Sequence, residues 1–250
     1  MLRRNRRAKS DAASTNEYAN ATTNIDMNLK AAHGADRSDQ HWMLKDIDID
    51  LQNGDRLGVI GLNGAGKSTL LRVLAGVYEP TVGTVETEGR MATMLSLSLG
   101  MNQAATGAEN IIAPSLLMGA TYEEAKAKIP EILEFAQLGD YAHMPIATYS
   151  SGMISRLAFG IATAFEPDIL MMDEWISTGD RQFFKRAEDR FQRFVRQSGI
   201  IVLVTHRLEL VRSLCNQALM LHHGEVYAFG DPEHVIQEYI ALAAKLEHVE

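Results

Sequence analysis

The most specific chemical pattern in the chain is GLNGAGKS, from Gly61 to Ser68, which has the types and spacing of a phosphate-binding loop. Glycines let the backbone curl so that successive N–H groups, and the start of the helix that follows, face a phosphate. A predicted strand ends at Gly61 and a predicted helix opens at Lys67, which is the context that the motif requires. Lys67 can then reach the outer phosphates of ATP, and the Ser68 hydroxyl can ligate Mg²⁺. The predicted nucleotide-binding residues of this loop are Gly61, Leu62, Asn63, Gly64, Ala65, Gly66, Lys67, Ser68 and Thr69.

Two carboxylates, Asp173 and Glu174, end the apolar segment DILMMDE (168–174). A continuous apolar run is typical of a strand buried on both faces of a parallel sheet, and such sheets bind ligands at the carboxyl ends of their strands. From there Asp173 can hold Mg²⁺, and Glu174 can orient or deprotonate the water that attacks a γ-phosphate. An isolated pair of acids would more often be a solvated strand end, but the phosphate-binding loop favours the catalytic interpretation.

A histidine, His206, ends another apolar segment, IIVLVTH (200–206). If this strand, the strand before the loop and the strand before the carboxylates are neighbours in one parallel sheet, their ends share one crevice. A lone histidine is usually a hydrogen-bonded structural residue, but one at this edge could contact the γ-phosphate and position the attacking water. The shared edge favours the functional role. We therefore expect a convergence of Lys67, Asp173, Glu174 and His206.

Alternating strands and helices must position these side chains, and the period of the apolar residues predicts where they lie. The segments with strand patterns are 43–51, 56–61, 90–95, 168–174, 200–206, 217–223 and 225–230. Helical patterns cover 67–76, a crossover helix over 181–196, and a last helix opened by Asp231 and Pro232. The apolar face predicted for the crossover helix consists of Phe184, Ala187, Phe191 and Phe194.

The segment from about 97 to 165 changes to a mostly helical pattern. Thr121 and Glu124 form a possible capping box, and Pro130 is predicted to start a further helical turn. The pattern predicts an α/β fold of the P-loop NTPase type, over residues 23–245, with a mixed-sheet core (23–96 and 166–245) and an inserted helical subdomain (97–165). Residues 1–22 are polar and without periodicity, which predicts a flexible arm.

Composition excludes several classes of function. The 250 residues are 46% hydrophobic, enough for one substantial α/β domain. The net charge is −8 although the first ten residues hold five bases and no acid, so the rest is too acidic for a general nucleic-acid binder. The single cysteine, Cys215, excludes an internal disulfide and fits a reducing compartment. The cytoplasm is therefore the expected compartment. No stretch approaches the roughly 20 mostly apolar residues of a membrane span, so we expect that the chain does not cross a membrane.

A further segment, YSSGM from Tyr149 to Met153, precedes the helical pattern at 154–165. It supplies a hydroxyl, a glycine and a helix N-terminus, which are the parts of an anion site, although alone it would more often be an N-capped helix start. The ordered set contains the phosphate-binding loop, the helical insertion, Ser-x-Gly before a helix, a strand ending in Asp-Glu and a strand ending in His. Over residues 24–240 this set resembles the ATP-binding subunit of ABC transporters.

The resemblance implies a division of roles between two copies of the chain. Members of this family bind two ATP molecules between head-to-tail subunits, with the signature of one subunit closing over the P-loop of the other. By this resemblance Ser150 and Gly152 act in trans in an ATP-bound homodimer, Asp180 lies in the D-loop, and His206 is the switch histidine. The implied cofactors are ATP and Mg²⁺, with Ser68 and Asp173 as the metal ligands.

Departures from the usual family pattern identify a branch. The signature reads YSSGM instead of LSGGQ, and Ser96 falls near the usual glutamine, whose role Gln103 cannot simply inherit. The adenine-stacking aromatic is unassigned, because Gly34 falls near the expected spacing and only His33 and Trp42 are nearby. The branch that exports O-antigen, capsule and teichoic acid resembles this chain in SLGMNQAATGAENI (98–111), YSSGM and DEWISTGD (173–180).

That branch implies an ATPase subunit on the cytoplasmic face of the inner membrane, driving a separate transmembrane permease that exports lipid-linked polysaccharide. The groove around Ser96 to Met118 is the expected contact with the permease, and the alternative is an ordinary subdomain core. The basic arm could rest on anionic phospholipid or remain a solvated tail. Two other functions stay open: an ABC subunit for a lipid, drug or nutrient, and a soluble ATPase outside transport.

Overall fold

The computed structural model describes residues 23–29, 42–94, 100–173 and 181–247, so the predicted arm at 1–22 lies outside the described residues. The strands in chain order are β1 (Asn24–Leu29), β2 (Ile47–Gln52), β3 (Arg56–Gly61), β4 (Thr84–Glu88), β5 (Met91–Met94), β6 (Ile169–Asp173), β7 (Ile200–Val204), β8 (Gln217–His222) and β9 (Glu225–Gly230). The α-helices are α1 (Lys67–Leu74), α2 (Ile112–Leu117), α3 (Tyr122–Ala136), α4 (Ser151–Ala162), α5 (Arg181–Gln197), α6 (Leu208–Leu214) and α7 (Pro232–Glu247). Short 3₁₀ helices cover Glu109–Ile111, Gly139–His143 and Ile146–Thr148.

A six-stranded sheet in the order β5-β6-β7-β3-β8-β9 forms the centre of the fold. Its first five strands are parallel and β9 runs antiparallel to β8, so the sheet is mixed, as predicted. All of β7 is buried, and β6 is buried up to Asp173, as expected for strands with packed elements on both faces. Because β7 lies between β6 and β3, the carboxyl ends of these three strands meet at one edge. The predicted neighbourhood of the three strands is confirmed.

A second, three-stranded antiparallel sheet has the order β2-β1-β4 and shares its apolar core with α1 and the large sheet. The sequence patterns predicted β2 but missed β1 and β4. In β1 the buried Ile25, Met27 and Leu29 alternate with less buried residues, but the strand is short and follows a long polar segment. In β4 only Val85 packs against the core, so pairing with β1 defines this strand rather than its own side chains.

The helices between β5 and β6 have an apolar core of their own, which includes Ile111, Ile132, Leu157 and Ile161. The predicted capping box is confirmed, because the Thr121 hydroxyl accepts the Glu124 N–H at 3.2 Å and the Glu124 carboxylate accepts the Thr121 N–H at 2.7 Å.

The prediction for Pro130 is wrong, since this residue lies inside the continuous helix α3 rather than at the start of a new turn. Proline removes one helical hydrogen bond there. Burial of Ala125 before the proline and of Ile132 and Phe135 after it holds the two parts of α3 in one helix.

The crossover helix α5 buries Phe183, Ala187, Phe191 and Phe194, which confirms three of the four predicted positions and adds Phe183. The fourth predicted position, the side chain of Phe184, lies outside the part of the chain that the structure describes. The last helix, α7, begins at Pro232 as predicted, and Asp231 Oδ1 accepts the backbone N–H groups of Glu233 and His234 at 3.0 and 3.2 Å. Within the described ranges, no helix has both the length and the apolar character that a membrane span needs.

Candidate nucleotide site

The loop between β3 and α1 passes so close to other backbone that two of its positions require glycine. Gly61 has φ 154°, and a Cβ there would lie 2.4 Å from the carbonyl oxygen of Leu221. Gly66 has φ 104°, and a Cβ there would lie 3.0 Å from the carbonyl oxygen of Met43. Both φ values lie in the left-handed region that favours glycine. The loop therefore curls as predicted and leads into α1, whose first amides have no acceptor within the helix.

The ammonium group of Lys67 is held against this loop by two of the loop's own carbonyl groups. Its Nζ donates to the oxygens of Gly61 at 2.8 Å and Leu62 at 2.9 Å. The side chain is buried, and a buried ammonium is tolerated only where hydrogen bonds replace its water. A positive charge therefore lies beside the backbone that is predicted to bind phosphate.

One hydrogen bond joins the first turn of α1 to the end of β6. The Ser68 Oγ donates to Asp173 Oδ2 at 3.1 Å, and both residues are partly buried. Hydroxyl and carboxylate oxygens are hard donors of the kind Mg²⁺ prefers, and Mg²⁺ sites typically combine one or two protein ligands with substrate phosphates and water. Within the described ranges no cluster of three or more His, Cys, Asp or Glu residues could hold a metal by itself. The donor set fits Mg²⁺ that is bound together with a nucleotide.

The segment after β7 places His206 at the same edge of the sheet. Thr205 is buried, its N–H donates to the Val59 oxygen at 3.3 Å, and its hydroxyl accepts the Arg207 N–H at 3.0 Å. These bonds fix the backbone on both sides of His206, whose side chain is exposed. The fold thus brings Lys67, Asp173 and His206 to one sheet edge, whereas Glu174 and Asp180 lie outside the described residues.

The signature segment forms the start of α4. Ser150 is the N-cap, and its Oγ accepts the Met153 N–H at 3.2 Å, so the alternative interpretation as a capped helix start is correct for its local structure. Gly152 is exposed in the first turn. Tyr149 is buried and its hydroxyl donates to the Tyr141 carbonyl oxygen, and burial raises the pKa of this phenol. The anchored Tyr149 side chain leaves Ser150 and Gly152 at the protein surface.

Hydrogen bonds of Asn110 organise the loop before α2, which belongs to the segment SLGMNQAATGAENI (98–111). The sequence patterns assigned no role to Asn110 by itself. Its buried side-chain amide accepts the Asn102 N–H at 2.6 Å and donates to the carbonyl oxygens of Asn102, Ala105 and Thr106 at 2.8 to 3.0 Å. This network shapes the loop that carries the exposed Gln103. Ser96, near the usual family glutamine, lies outside the described residues.

A cleft of about 300 Å³ lies beside the first turn of α1 and is bordered by Trp42 and Tyr78. Leu44 lies beside Trp42 in its lining, and Thr69 and Val73 line it from α1. Of the two aromatic residues considered from the sequence, Trp42 is therefore next to the phosphate-binding helix, and His33 lies outside the described residues. The sequence distance between Trp42 and the phosphate-binding loop did not predict that Trp42 lies next to α1.

The site geometry agrees with comparison to known families. The ABC transporter family matches residues 44–177, which is more than half of the 250 residues. The chain belongs to the ABC transporter family.

Two relatives carry the names of export systems. The O-antigen export system ATP-binding protein RfbE of Yersinia enterocolitica is 46% identical over 184 residues, which cover 74% of this chain and 77% of RfbE. The teichoic acids export ATP-binding protein TagH of Bacillus anthracis is 43% identical over 199 residues, which cover 80% of this chain and 36% of that protein. The chain thus spans about a third to about half the length of several of its relatives.

A solved structure shows the same fold. The dimeric post-hydrolysis state of the ATP-binding cassette MJ0796, bound to ADP and Pi, superposes with a TM-score of 0.63 at 19% identity and covers 83% of this chain and 98% of that one. The predicted fold class, an α/β fold of the P-loop NTPase type with a mixed sheet, is confirmed.

Proposed function

We propose that this chain binds and hydrolyses ATP as the nucleotide-binding subunit of an ABC transporter that exports lipid-linked cell-surface polysaccharide. The observation that carries the proposal is the hydrogen bond from Ser68 to Asp173, which joins the phosphate-binding loop to the end of a parallel strand. Lys67 lies against the same loop. The cargo class is supported by the likeness to proteins named for O-antigen and teichoic acid export.

Each residue of the site has a role in the proposed reaction, which is direct attack of water on the γ-phosphate. Lys67 and the loop amides bind the phosphate oxygens. Ser68 and Asp173 would hold Mg²⁺, which when bound supplies positive charge to the β- and γ-phosphates. Glu174 orients the water and accepts its proton, and His206 donates a hydrogen bond to the γ-phosphate.

The site is completed by a second copy of the chain. Ser150 and Gly152 of one subunit approach the γ-phosphate bound by the other, with Asp180 beside the same interface. The exposure of both signature residues at the start of a helix supports this assignment, because a helix N-terminus attracts anions. We assign the helical subdomain to residues 97–165 between core segments 23–96 and 166–245, which the separate apolar core of α2 to α4 supports.

A transmembrane permease is the second proposed partner, and it would hold this chain at the cytoplasmic face of the inner membrane. Its contact surface is the segment from Ser96 to Met118. Two leucines of α2, Leu116 and Leu117, are 44% and 65% exposed, more than a subdomain core would leave them. Their exposure supports a protein contact at this segment.

The adenine ring is assigned to the cleft between Trp42 and Tyr78. Thr69, which follows the Mg²⁺ ligand Ser68, lines the same cleft, so phosphates on the loop would bring the base to it. An indole provides a flat apolar face on which a base stacks.

The cargo is tested in cells from which the gene is deleted. The strain is complemented with wild type or with the Glu174→Gln variant, and surface glycan is measured together with lipid-linked glycan inside the cell. We expect loss of surface glycan and internal accumulation, both reversed only by wild type. Unchanged glycan in every strain would exclude polysaccharide export and leave an ABC ATPase with another cargo.

A further inference from the structure

Arg190 of α5 joins three helices through one guanidinium group. Its Nε donates to Thr163 Oγ1 at 2.8 Å, and its Nη2 lies 2.9 Å from a carboxylate oxygen of Glu131 and 3.5 Å from the Gly160 carbonyl oxygen. The same group stacks over the ring of Phe135, 4.5 Å from its centre. Glu131 and Phe135 belong to α3, whereas Gly160 is in α4 and Thr163 ends that helix. Only 12% of the Arg190 side chain is exposed.

Aromatic rings surround this contact. We call the cluster of Arg190, Phe135, Phe159 and Phe183 the joint. Phe135 of α3 packs edge-on against Phe183 of α5 with ring centres 5.2 Å apart, and it stacks on Phe159 of α4 at 5.9 Å. Arg156 of α4 lies over Phe183, at 5.8 Å from the ring centre. The joint therefore combines flat rings with the Arg190 guanidinium group, which hydrogen bonds orient, and this permits fewer relative positions than a purely aliphatic contact.

Thr163 is the buried polar partner of Arg190, whereas Glu131 also accepts a hydrogen bond from Lys128 Nζ at 2.7 Å. The Thr163 hydroxyl donates to the Phe159 carbonyl oxygen at 2.7 Å and is satisfied as an acceptor by Arg190. A lysine could keep the charge pairing with Glu131, but one ammonium lacks the planar fork that reaches Thr163 and stacks on Phe135 together. The arrangement is therefore specific to arginine.

A second arginine fixes the same face of α3 to the large sheet. Arg90 Nη2 lies 3.2 Å from Glu124, seven residues before Glu131 and so on nearly the same side of the helix. The backbone N–H of Arg90 donates to the Asp168 carboxylate at 2.6 Å, just before β6. The ion pairs of Arg90 and Arg190 thus contact one side of α3 at two points, one toward the large sheet and one toward α5.

Two of the three helices that Arg190 joins, α4 and α5, begin at segments that face the nucleotide in the proposed function. Helix α4 begins directly after its N-cap, the signature residue Ser150, and α5 begins at Arg181, directly after Asp180 in the sequence. Gly160 is ten residues from Ser150, about 15 Å along the helix. If the axis of α4 tilted by about 10° around Gly160, Ser150 would therefore move by roughly 2.5 Å, enough to break a hydrogen bond to a phosphate.

We propose that Arg190 is a positioning residue that fixes the signature helix α4 relative to α5, so that Ser150 and Gly152 meet the nucleotide bound by a second subunit. This inference rests on the proposed function. The contacts of Arg190 are with α3 and the end of α4, so it would act through α4 rather than on the nucleotide. Its loss should spare ATP binding by one subunit and impair the dimer that two subunits form around ATP.

The test compares Arg190→Lys and Thr163→Val with wild type, and uses Arg196→Gln as a matched control, because Arg196 lies on the same helix and its Nε bonds only within it. ATP binding is measured by titration calorimetry and hydrolysis as separate kcat and KM values. Dimerisation is measured by light scattering in a Glu174→Gln background. We expect monomer ATP affinity within twofold of wild type for both variants, with kcat lowered about tenfold and dimerisation requiring about tenfold more protein. Arg196→Gln should match wild type.

Two outcomes would overturn the positioning role. One is wild-type kcat and dimerisation in both variants. The other is a parallel loss of ATP affinity and of thermal melting temperature in both variants, which would indicate a general structural role. If wild type itself neither hydrolyses ATP nor dimerises in its presence, the proposed function is wrong. The variants would then be equally inactive, and this outcome differs from both of those above.

Discussion

In the proposed reaction, some residues of the nucleotide site bind the charged phosphates and Mg²⁺, and others act on the attacking water. Lys67 donates to the loop carbonyl groups, and Ser68 donates to Asp173 across the sheet edge, so hydrogen bonds hold the groups that we propose bind phosphate and Mg²⁺. Glu174 follows Asp173 directly in the sequence and is the one residue to which the proposed reaction assigns proton acceptance. Binding and bond cleavage can therefore be separated by substitution.

Replacing Glu174 by glutamine should leave ATP affinity within about threefold of wild type and lower kcat by a factor on the order of 10² or more. The amide keeps the size and hydrogen-bonding reach of the side chain but cannot accept a proton at neutral pH. Steady-state hydrolysis and equilibrium binding of ATP measure the two effects. The matched variant Lys67→Ala should lose affinity, and an equal loss of affinity in Glu174→Gln would contradict the assignment.

Replacing Trp42 by alanine should weaken ATP binding by about tenfold while kcat at saturating ATP changes little, because stacking contributes roughly 1–3 kcal/mol and does not touch the reacting phosphate. Trp42→Phe should retain most of the affinity. Titration calorimetry with ATP and with tripolyphosphate separates the base from the phosphates. A Trp42→Ala variant that loses equal affinity for both ligands would place the adenine elsewhere.

Whole elements explain how far the sequence alone could lead. The strands β3, β6 and β7 are continuous buried runs, so composition predicted them and the rule for parallel sheets predicted their shared edge. The strand β4 is exposed except at Val85, and nothing in its own residues separates it from a loop. The prediction that a helical turn starts at Pro130 was wrong for the same reason, because packing of buried side chains rather than local preference keeps α3 continuous.

The site follows the same division. Ser68 and Asp173 were predictable because motif and strand end both carry local signals. The cleft at Trp42 arises from segments that meet only in the folded chain, so no pattern along one segment could indicate it. The network of Asn110 lies within one segment, but hydrogen bonds from a side chain to nearby backbone leave no periodic pattern in the sequence.

The contact between Gly107 and Tyr149 shows how elements of the helical segment depend on one another. A Cβ at position 107 would lie 2.2 Å from the Tyr149 hydroxyl oxygen. Gly107→Ala should therefore lower the free energy of unfolding by about 1–3 kcal/mol. Tyr149→Phe alone should cost about 1 kcal/mol for its lost hydrogen bond to Tyr141.

Combined, Gly107→Ala and Tyr149→Phe should cost less than the sum of the two single changes, since removal of the hydroxyl makes room for the methyl group. Chemical denaturation of the four proteins of this double-mutant cycle measures the coupling. Additive costs would show that the backbone near Gly107 moves away from Tyr149 instead.

If the proposed function is correct, the active unit is a dimer of two chains, because each nucleotide then needs the P-loop of one chain and the signature of the other. Gly152 offers a substitution that this chain can tolerate by itself. A Cβ there meets only the Ser150 Oγ, at 3.9 Å, and an acidic residue in the first turn of a helix is favourable. Gly152→Asp should fold normally and bind ATP, yet repel the γ-phosphate of a partner.

Mixing two inactive variants tests this arrangement. Lys67→Ala has an intact signature and a defective P-loop, whereas Gly152→Asp has the reverse, so a mixed dimer contains one complete site. Each variant alone should be nearly inactive, and equal amounts mixed should recover up to about a quarter of wild-type activity, because random pairing makes half of the dimers mixed with one of two sites intact. Phosphate release measured against mixing ratio should peak at equal amounts. If the mixture stays as inactive as its parts while both variants remain folded and Gly152→Asp still binds ATP, the signature does not act across the dimer.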